Sequence, residues 1–160
     1  MGRDRSNETR SEHFTKLVRS TMQTAAWRSL TPYGQALYPW LKLEWHGPKA
    51  NNNGQIQLST RQAAEAMGIN TKTAAKAFRE LQARGFIVMT KPARLGLGGQ
   101  ATSPSWEITE IAMPNADPHR PRNLFREWKD GHDFPVHRAE PQNRLGINGQ
   151  AKVVKMKAVN

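Results

Sequence analysis

The chain has 160 residues and carries 24 Lys and Arg against 13 Asp and Glu, so its formal net charge is +11. This basic excess favours a polyanionic partner, and DNA, RNA or an anionic membrane surface are the candidates. The absence of cysteine excludes disulfides, thiolate catalysis and zinc sites built from cysteine. No apolar run approaches the roughly 20 residues that cross a bilayer, and no apolar signal-peptide core is present. We therefore expect a cytoplasmic protein of one domain that does not enter a membrane.

The N-terminal third predicts two helices after a polar lead. Residues 1–10 are charged and poor in apolar groups, which predicts a disordered segment. A helix is predicted from Ser11, because apolar residues then recur at helical spacing, at Phe14, Leu17, Val18 and Met22. Its apolar stripe either packs on the core of the same chain or pairs with a second copy. Another helix is predicted from Thr31 and Pro32, an N-cap followed by a residue suited to the first helical position, and Pro39 is expected to kink it.

Two helices with a tight turn between them are predicted in the middle of the chain. They follow a Gly- and Asn-rich loop at residues 47–54, whose Asn run serves either turn formation or a phosphate contact, and a strand pattern at residues 55–58. Ser59 and Gln62 have the spacing of a capping box and predict the start of the first helix. Gly68 predicts its end, Asn70 caps the second helix, and Gly85 stops that helix after about Arg84.

The second of these helices has two distinct faces. One is an apolar stripe in which residues recur at intervals of three and four, namely Ala74, Ala77, Phe78 and Leu81. The opposite face is basic and includes one small residue, and it consists of Thr71, Lys72, Ala75, Lys76 and Arg79. A helix that lies in the major groove of DNA needs a face of this kind, because its first turns must reach base edges and phosphates.

A hairpin is predicted directly after this helix. Residues 86–90 form a β-branched run and residues 105–109 alternate polar and apolar, which predicts two strands. The connection between them, residues 91–104, is basic and rich in Gly and Pro. Because it follows the basic helix, this hairpin is placed to reach the same polyanion, with Lys91, Arg94 and Gln100 as the candidate contacts.

The C-terminal part, residues 112–160, is interpreted as a Pro-containing basic extension of a domain that covers residues 11–111. One short helical piece is predicted at residues 123–129, with Leu124, Phe125 and Trp128 docked on the core. The last residues are basic and have no periodicity. They either add non-specific affinity for DNA or form a solvated tail.

We expect no enzymatic activity, cofactor or metal site. The only constellation with suitable ligand types lies in the Pro-broken extension and comprises Asp117, His119, Asp130, His132, Asp133 and His137. A mobile chain of this kind does not hold metal ligands in place. Paired carboxylates on a rigid element and a nucleophile with an orienting base are also missing from the sequence.

Residues 58–87 resemble the helix-turn-helix of winged-helix regulators. The matching positions, in order, are Leu58, Ser59, Ala64, Gly68, Ile69, Asn70, Thr73, Ala74, Lys76, Ala77, Phe78, Leu81, Gly85, Phe86 and Ile87. The longer run from residue 26 to residue 111 is similar to small helix-turn-helix proteins of phages, prophages and plasmids. The resemblance implies a mainly α fold with a small β-hairpin wing, a winged helix-turn-helix with extra N-terminal helices.

The resemblance also implies roles for individual residues. A recognition helix at about residues 71–84 and a wing at about residues 91–104 contact double-stranded DNA. Lys72 and Lys76 reach base edges or phosphates, and Ala75 reaches a thymine methyl group. The remaining helical contacts go to the DNA backbone, from Arg61, Asn70, Thr71, Thr73 and Arg79. Lys91, Arg94 and Gln100 contact the adjacent groove.

Three functions remain open at this point. The first is sequence-specific DNA binding by a transcriptional regulator, with a homodimer formed through the N-terminal helices. The second is a replication or partition factor of a mobile element, since winged helices also recognise origins. The third is a non-enzymatic adaptor that uses its helical hairpin for protein contact.

Overall fold

The protein is a mixed α/β structure with five helices and a small three-stranded antiparallel sheet in the residues that its computed structural model describes, 13–95 and 101–137. The helices are α1 (Arg19–Met22), α2 (Ala25–Arg28), α3 (Pro32–Leu43), α4 (Thr60–Met67) and α5 (Thr71–Ala83). The strands are β1 (Ile56–Gln57), β2 (Ile87–Lys91), β3 (Arg94–Leu95), β4 (Ala101–Thr102) and β5 (Ser105–Ile108). A short 3-10 helix, Leu124–Arg126, follows the sheet.

The helix predicted from Ser11 to Met22 is wrong in extent. Residues 13–18 are not helical, and only the four residues of α1 are. The Nζ of Lys42 donates to the backbone oxygen of Lys16 at 2.7 Å, so a contact from α3 holds this segment. The apolar residues counted for the stripe are left outside the core, and Phe14 is 82% exposed. Helical spacing of the apolar residues was not sufficient to make this segment a helix, because a short helix is stable only when its apolar side packs against other elements.

Helix α3 begins as predicted. The Thr31 hydroxyl accepts a hydrogen bond from the Gly34 N–H at 3.4 Å, and Pro32 occupies the first turn. The helix continues through Pro39 to Leu43. Its buried face includes Leu37 and Leu41, and it packs against α5 and α4. Because this face is buried against them, α3 lies on the core side of the helices α4 and α5.

The sheet has the order β1–β5–β2, with β5 antiparallel to both neighbours. Trp106 on β5 is opposite Ile56 on one side and Met89 on the other. Strands β3 and β4 extend the β2–β5 hairpin as a separate antiparallel pair. The predicted hairpin is therefore confirmed, and its strands β2 and β5 belong to the three-stranded sheet.

One hydrophobic core joins the helices, the sheet and the C-terminal region. Trp27, Tyr38 and Phe86 meet in edge-to-face contacts, with ring centroids 5.3–5.7 Å apart. Phe125 stacks on Phe86 at 4.8 Å. Phe125 and Trp128 are buried in this core, as predicted, whereas Leu124 is half-buried and not part of it, and the helical piece covers only Leu124–Arg126. The core thus extends beyond residue 111, the limit assigned to the domain from sequence.

A buried polar network fastens the N-terminal residues to this core. Glu110 pairs with Lys42 at 2.7 Å and accepts hydrogen bonds from the Tyr38 hydroxyl at 2.9 Å and from the Thr21 hydroxyl. Burial by itself raises the pKa of Glu110, but the hydrogen bonds from Lys42, Thr21 and Tyr38 outweigh it and lower the pKa below its ordinary value of 4.5. Burial, followed by the charge of Glu110, raises the pKa of Tyr38 well above 10. The network therefore holds a carboxylate and a protonated phenol.

The Asn run of the loop at residues 47–54 has a structural role. Asn53 is buried, and its Nδ2 donates to the backbone oxygens of Ile108 and Ile111 at 3.1 and 2.7 Å. Its Oδ1 accepts from the Ile108 N–H at 2.7 Å. This amide therefore joins the loop to the end of β5, 55 residues away, which is a tertiary contact that neither predicted role described.

Candidate nucleic-acid interface

Helix α4 begins and ends at the predicted residues. Ser59 and Gln62 form a reciprocal capping box, in which the backbone N–H of Gln62 donates to the Ser59 hydroxyl at 3.1 Å and the backbone N–H of Ser59 donates to the side-chain Oε1 of Gln62 at 2.9 Å. Gly68 has a left-handed φ of 64°, and the Ile69 N–H donates back to the Ala64 oxygen at 2.9 Å. The bonds at Gly68 and Ile69 fix the turn between α4 and α5, and so the orientation of α5 relative to α4.

Helix α5 is fixed by its own caps. The Asn70 Oδ1 accepts from the Thr73 N–H at 2.8 Å and also from the Thr73 hydroxyl at 3.0 Å. At the other end Gly85 has a φ of 77°, and the Phe86 N–H donates to the Leu81 oxygen at 2.9 Å. The predicted start and stop of this helix are confirmed.

The caps change one predicted role. The Thr73 hydroxyl was expected to donate to a phosphate, but its proton is used in the bond to Asn70. The Asn70 carbonyl is likewise occupied, which leaves its amide nitrogen for an external acceptor. Thr71, which is exposed at the first position of the helix, is therefore the better placed hydroxyl donor.

The two faces of α5 are separated as the sequence predicted. Ala74, Ala77, Phe78 and Leu81 are buried, and Phe78 stacks on Trp106 at 5.0 Å. Lys72 and Lys76 are exposed on the opposite side, and Ala75 and Arg79 are half-buried at its edge. We call Thr71, Lys72, Ala75, Lys76 and Arg79 the basic face. Arg61 is exposed in the first turn of the neighbouring helix α4.

The single acidic residue of α5 points away from the basic face. The Glu80 carboxylate accepts from the Thr31 hydroxyl at 2.6 Å and from the Thr31 N–H at 3.3 Å, at the N-terminus of α3. This position compensates the positive end of the α3 dipole. Within residues 13–95 and 101–137, none of Lys72, Lys76 and Arg79 belongs to an ion pair. The positive charge of the basic face is therefore not neutralised by the part of the chain that is described.

A second basic surface lies at the base of the hairpin. Lys91 and Arg94 are exposed and line a cavity of about 410 Å³ together with Gln57, Pro92, Thr102, Ser103 and Ser105. The Arg94 N–H donates to the Thr102 hydroxyl at 3.3 Å, and that hydroxyl donates to the Arg94 oxygen at 3.1 Å. Gln57 and Ser103 were not predicted from the sequence to line a surface with Lys91 and Arg94. The alternation of polar and apolar residues at 55–58 does indicate that Gln57 lies on the exposed side of its strand. Gln100 lies outside the described residues.

The Asp and His residues considered as metal ligands do not converge. No group of three or more His, Asp and Glu side chains that could hold a metal occurs in the described part of the chain. The Asp133 carboxylate instead accepts from Trp128 Nε1 at 2.9 Å and pairs with Arg84. The hydrogen bond from Trp128 lowers the pKa of Asp133, and the charge and hydrogen bond of Arg84 lower it further.

Across residues 13–95 and 101–137, no helix is long and apolar enough to cross a membrane, and the longest, α5, has 13 residues. No family model, no curated protein and no solved structure matches the chain. The candidate interface therefore has to be judged from its own chemistry.

Proposed function

We propose that the protein is a winged helix-turn-helix that binds double-stranded DNA in a sequence-specific manner and regulates transcription in the cytoplasm. The observation that carries this proposal is the basic face of α5, whose three cations have no ion-pair partner among the described residues. The order α3, β1, α4, α5, β2 and β5 and the sheet order β1–β5–β2 support it, because they place a hairpin directly after the exposed helix.

The proposed mechanism inserts the N-terminal half of α5 into the major groove. The helix dipole and the Thr71 hydroxyl favour a phosphate at the N-terminus. Lys72 and Lys76 reach base edges, while Ala75 lies between them and allows close approach to a thymine methyl group. Arg79, with Arg61 on α4, contacts the DNA backbone and sets the register.

The hairpin acts as the wing in this proposal. Lys91 and Arg94 contact phosphates beside the adjacent groove. Their contribution is mainly electrostatic and sequence-independent, so it is expected to depend on salt.

A homodimer is part of the proposal, and exposed apolar side chains support it. Phe14, Leu17 and Met22 are exposed in the N-terminal segment, and Tyr33 and Trp40 are exposed on α3. A contiguous apolar patch on a surface is typical of a contact with another protein, and the proposed homodimer requires these side chains to form one. A second copy with two-fold symmetry would present two basic faces to two half-sites.

The same apolar side chains are the specific observation that favours an adaptor as the second candidate. In that function they bind another protein and the positive charge serves solubility. Analytical ultracentrifugation of the wild type and Trp40→Glu tests the dimer. A dimer that dissociates in the variant supports the first proposal, and a monomeric wild type contradicts its dimeric form.

The first experiment is selection from a labelled random-sequence duplex pool, followed by a salt titration with the selected site. Enrichment of a two-fold symmetric site supports a dimeric regulator and gives the half-site spacing directly. Weak binding with a steep salt dependence and no enriched site would mean a non-specific basic protein. No binding at all would favour the adaptor.

The variant Lys72→Ala/Lys76→Ala tests the basic face itself. Loss of two contacts of about 1–3 kcal/mol each is expected to weaken specific binding by at least thirtyfold. Lys49→Ala/Lys129→Ala is the matched control, since both lysines are exposed and lie outside the proposed interface. Retained affinity in the first variant would refute the assignment. Footprinting at promoters against iterated origin repeats separates a regulator from a replication or partition factor.

A further inference from the structure

A cavity of about 330 Å³ lies between the C-terminal end of α5, the start of β2 and the C-terminal residues. None of the proposed DNA contacts that the structure describes lines it. Most of its lining is apolar and comes from Ile87, Val88, Leu124, Phe134 and Pro135. Binding sites for small molecules are concave, mainly apolar and about 300–1,000 Å³ in volume, with a few polar groups that orient the ligand. The size of this cavity therefore suits a molecule with one ring.

The two sides of the cavity are joined by hydrogen bonds. The Phe134 N–H donates to the Ala83 oxygen at 2.9 Å. The His137 N–H donates to Oε1 of Gln82 at 2.9 Å, and Nε2 of Gln82 donates to the His137 oxygen at 3.3 Å. Gln82 is 3% exposed, and both ends of its side-chain amide have partners in the protein. The wall at α5 therefore holds the C-terminal residues 133–137 in place and leaves the recognition of a ligand to other groups.

Phe134 gives the cavity an aromatic wall. Its ring lies so close to Gly85 that a Cβ there would be 2.7 Å from it, and Gly85 itself has a φ of 77°. The ring is therefore packed directly on the end of α5. Aromatic rings pair favourably with other aromatic rings in offset or edge-to-face contacts. This wall favours a ligand that contains an aromatic ring.

Arg122 is the hydrogen-bond donor of the cavity. Its Nε donates to Oε1 of Glu107 at 2.8 Å and its Nη2 to Oε2 at 2.5 Å. Glu107 is 4% exposed, whereas the Arg122 side chain is 48% exposed. A guanidinium has more N–H groups than this pair uses. Within residues 13–95 and 101–137, Nη1 donates to no protein acceptor, so Arg122 can donate to a ligand.

The pair of Arg122 with Glu107 decides the charge of that ligand. The hydrogen bonds with Glu107 raise the pKa of Arg122, so the pair stays ionised and its two charges offset each other. An anionic ligand at Arg122 would face the Glu107 carboxylate, and charges of like sign disfavour binding. A carbonyl group accepts a hydrogen bond from a guanidinium without this repulsion. The site therefore favours a neutral acceptor.

We propose that this cavity binds a small neutral molecule made of one aromatic ring and a carbonyl group. The ring packs against Phe134 and Val88, and the carbonyl oxygen accepts a hydrogen bond from Arg122. Such a ligand contacts α5 and β2 on one side and residues 133–137 on the other, so its binding stabilises their contact. The inference does not rest on the proposed function, because no DNA contact takes part in it.

The first test is a titration of the full chain with acetophenone, benzoate and toluene, followed by NMR of the backbone amides. These probes share one ring, but benzoate is charged and toluene has no acceptor. Acetophenone should shift the amides of Gly85, Val88 and Phe134 and bind about tenfold more tightly than either of the others. About 0.15 M salt screens the net charge of the chain. Binding of benzoate or toluene as tight as that of acetophenone, or no shift at these amides, would overturn the proposal.

The second test fills the cavity. Val88 is half-buried on β2 and lines the cavity, so Val88→Phe should occupy the space for the ligand ring and abolish acetophenone binding. Lys49→Phe adds the same side chain at an exposed position away from the cavity and is the matched control. Acetophenone binding that Val88→Phe leaves unchanged would overturn the proposed site.

The third test removes the polar group without leaving a buried charge. Glu107→Met/Arg122→Met replaces both partners of the ion pair, a kind of change that proteins often tolerate. Toluene should still bind, which also shows that the cavity is intact, and the affinity for acetophenone should fall to that for toluene. A retained preference for acetophenone would overturn the role of Arg122.

The last test follows hydrogen exchange of the Phe134 and His137 amides. Both donate across the cavity, and their exchange requires the C-terminal residues to separate from α5. Acetophenone at ten times its dissociation constant should slow this exchange by about tenfold in the wild type. It should leave the exchange in Val88→Phe unchanged. Exchange that acetophenone does not slow in the wild type would show that the ligand does not join the two sides, and would overturn that part of the proposal.

Discussion

Lysine has opposite roles in two regions of the molecule, the buried network around Glu110 and the basic face of α5. Lys42 is 7% exposed, and its ammonium group is matched by Glu110 at 2.7 Å and by a backbone oxygen at 2.7 Å. Lys72 and Lys76 are exposed, and neither forms an ion pair with a described residue. Charge in the first region stabilises the fold, whereas charge in the second is available to a partner. The two regions should therefore respond differently to the same kind of substitution.

The largest expected effect is on folding, from Lys42→Met. Removal of the ammonium leaves the Glu110 carboxylate buried with hydrogen bonds from Tyr38 and Thr21 only, and a broken buried pair costs about 3–5 kcal/mol of unfolding free energy. Urea unfolding followed by tryptophan fluorescence measures the loss. Lys49→Met, at an exposed position, is the control. A loss below about 1 kcal/mol would mean that the network does not stabilise the N-terminal attachment.

A smaller loss of unfolding free energy is expected when the pH is lowered. The pKa of Glu110 is lower in the folded protein than its ordinary value of 4.5, so the folded state favours the carboxylate. This contribution to stability is present above about pH 4.5 and is lost as pH falls through the lowered pKa. The free energy of unfolding of the wild type should fall more steeply over this range than that of Glu110→Gln. Parallel profiles would contradict the assignment.

A smaller effect still is expected at the N-terminus of α5, from Asn70→Asp. Aspartate caps a helix as well as asparagine does, so the unfolding free energy should be unchanged or slightly higher. The added negative charge faces the proposed phosphate and should weaken DNA binding by roughly 1–2 kcal/mol. Unfolding and binding measurements on the same preparation test both parts. Undiminished binding would mean that no phosphate approaches this end of the helix.

The smallest expected effect on folding is that of Lys72→Ala/Lys76→Ala. Surface substitutions away from caps and buried groups change stability by about 0.5 kcal/mol or less. Urea unfolding should therefore show a shift of no more than this size in the variant whose specific DNA binding is expected to weaken by at least thirtyfold. A large shift would show that the basic face supports the fold, and the contrast with Lys42 would no longer hold.

Local signals in the sequence determined the pair α4–α5 and its exposed face. Ser59, Gly68, Asn70 and Gly85 act through bonds within a few residues, so their spacing was sufficient to predict where each helix begins and ends. The apolar period of α5 separated its buried and exposed faces for the same reason. The hairpin after α5 could also be predicted, since β-branched runs and a Gly- and Pro-rich connection are local features.

Only the tertiary structure decided how distant parts of the chain use their polar groups. Lys42 pairs with Glu110, which is 68 residues away in the sequence. Lys42 also donates to the Lys16 oxygen, within the segment that was predicted to be helical and is not. Glu80 turns to Thr31, and Gln82 holds His137. Sequence spacing contains no information about such partners, because they become neighbours only when the core around Phe86 assembles. The sequence by itself determined the local shape and charge of α5, and the packed core decided which of its polar residues remain available.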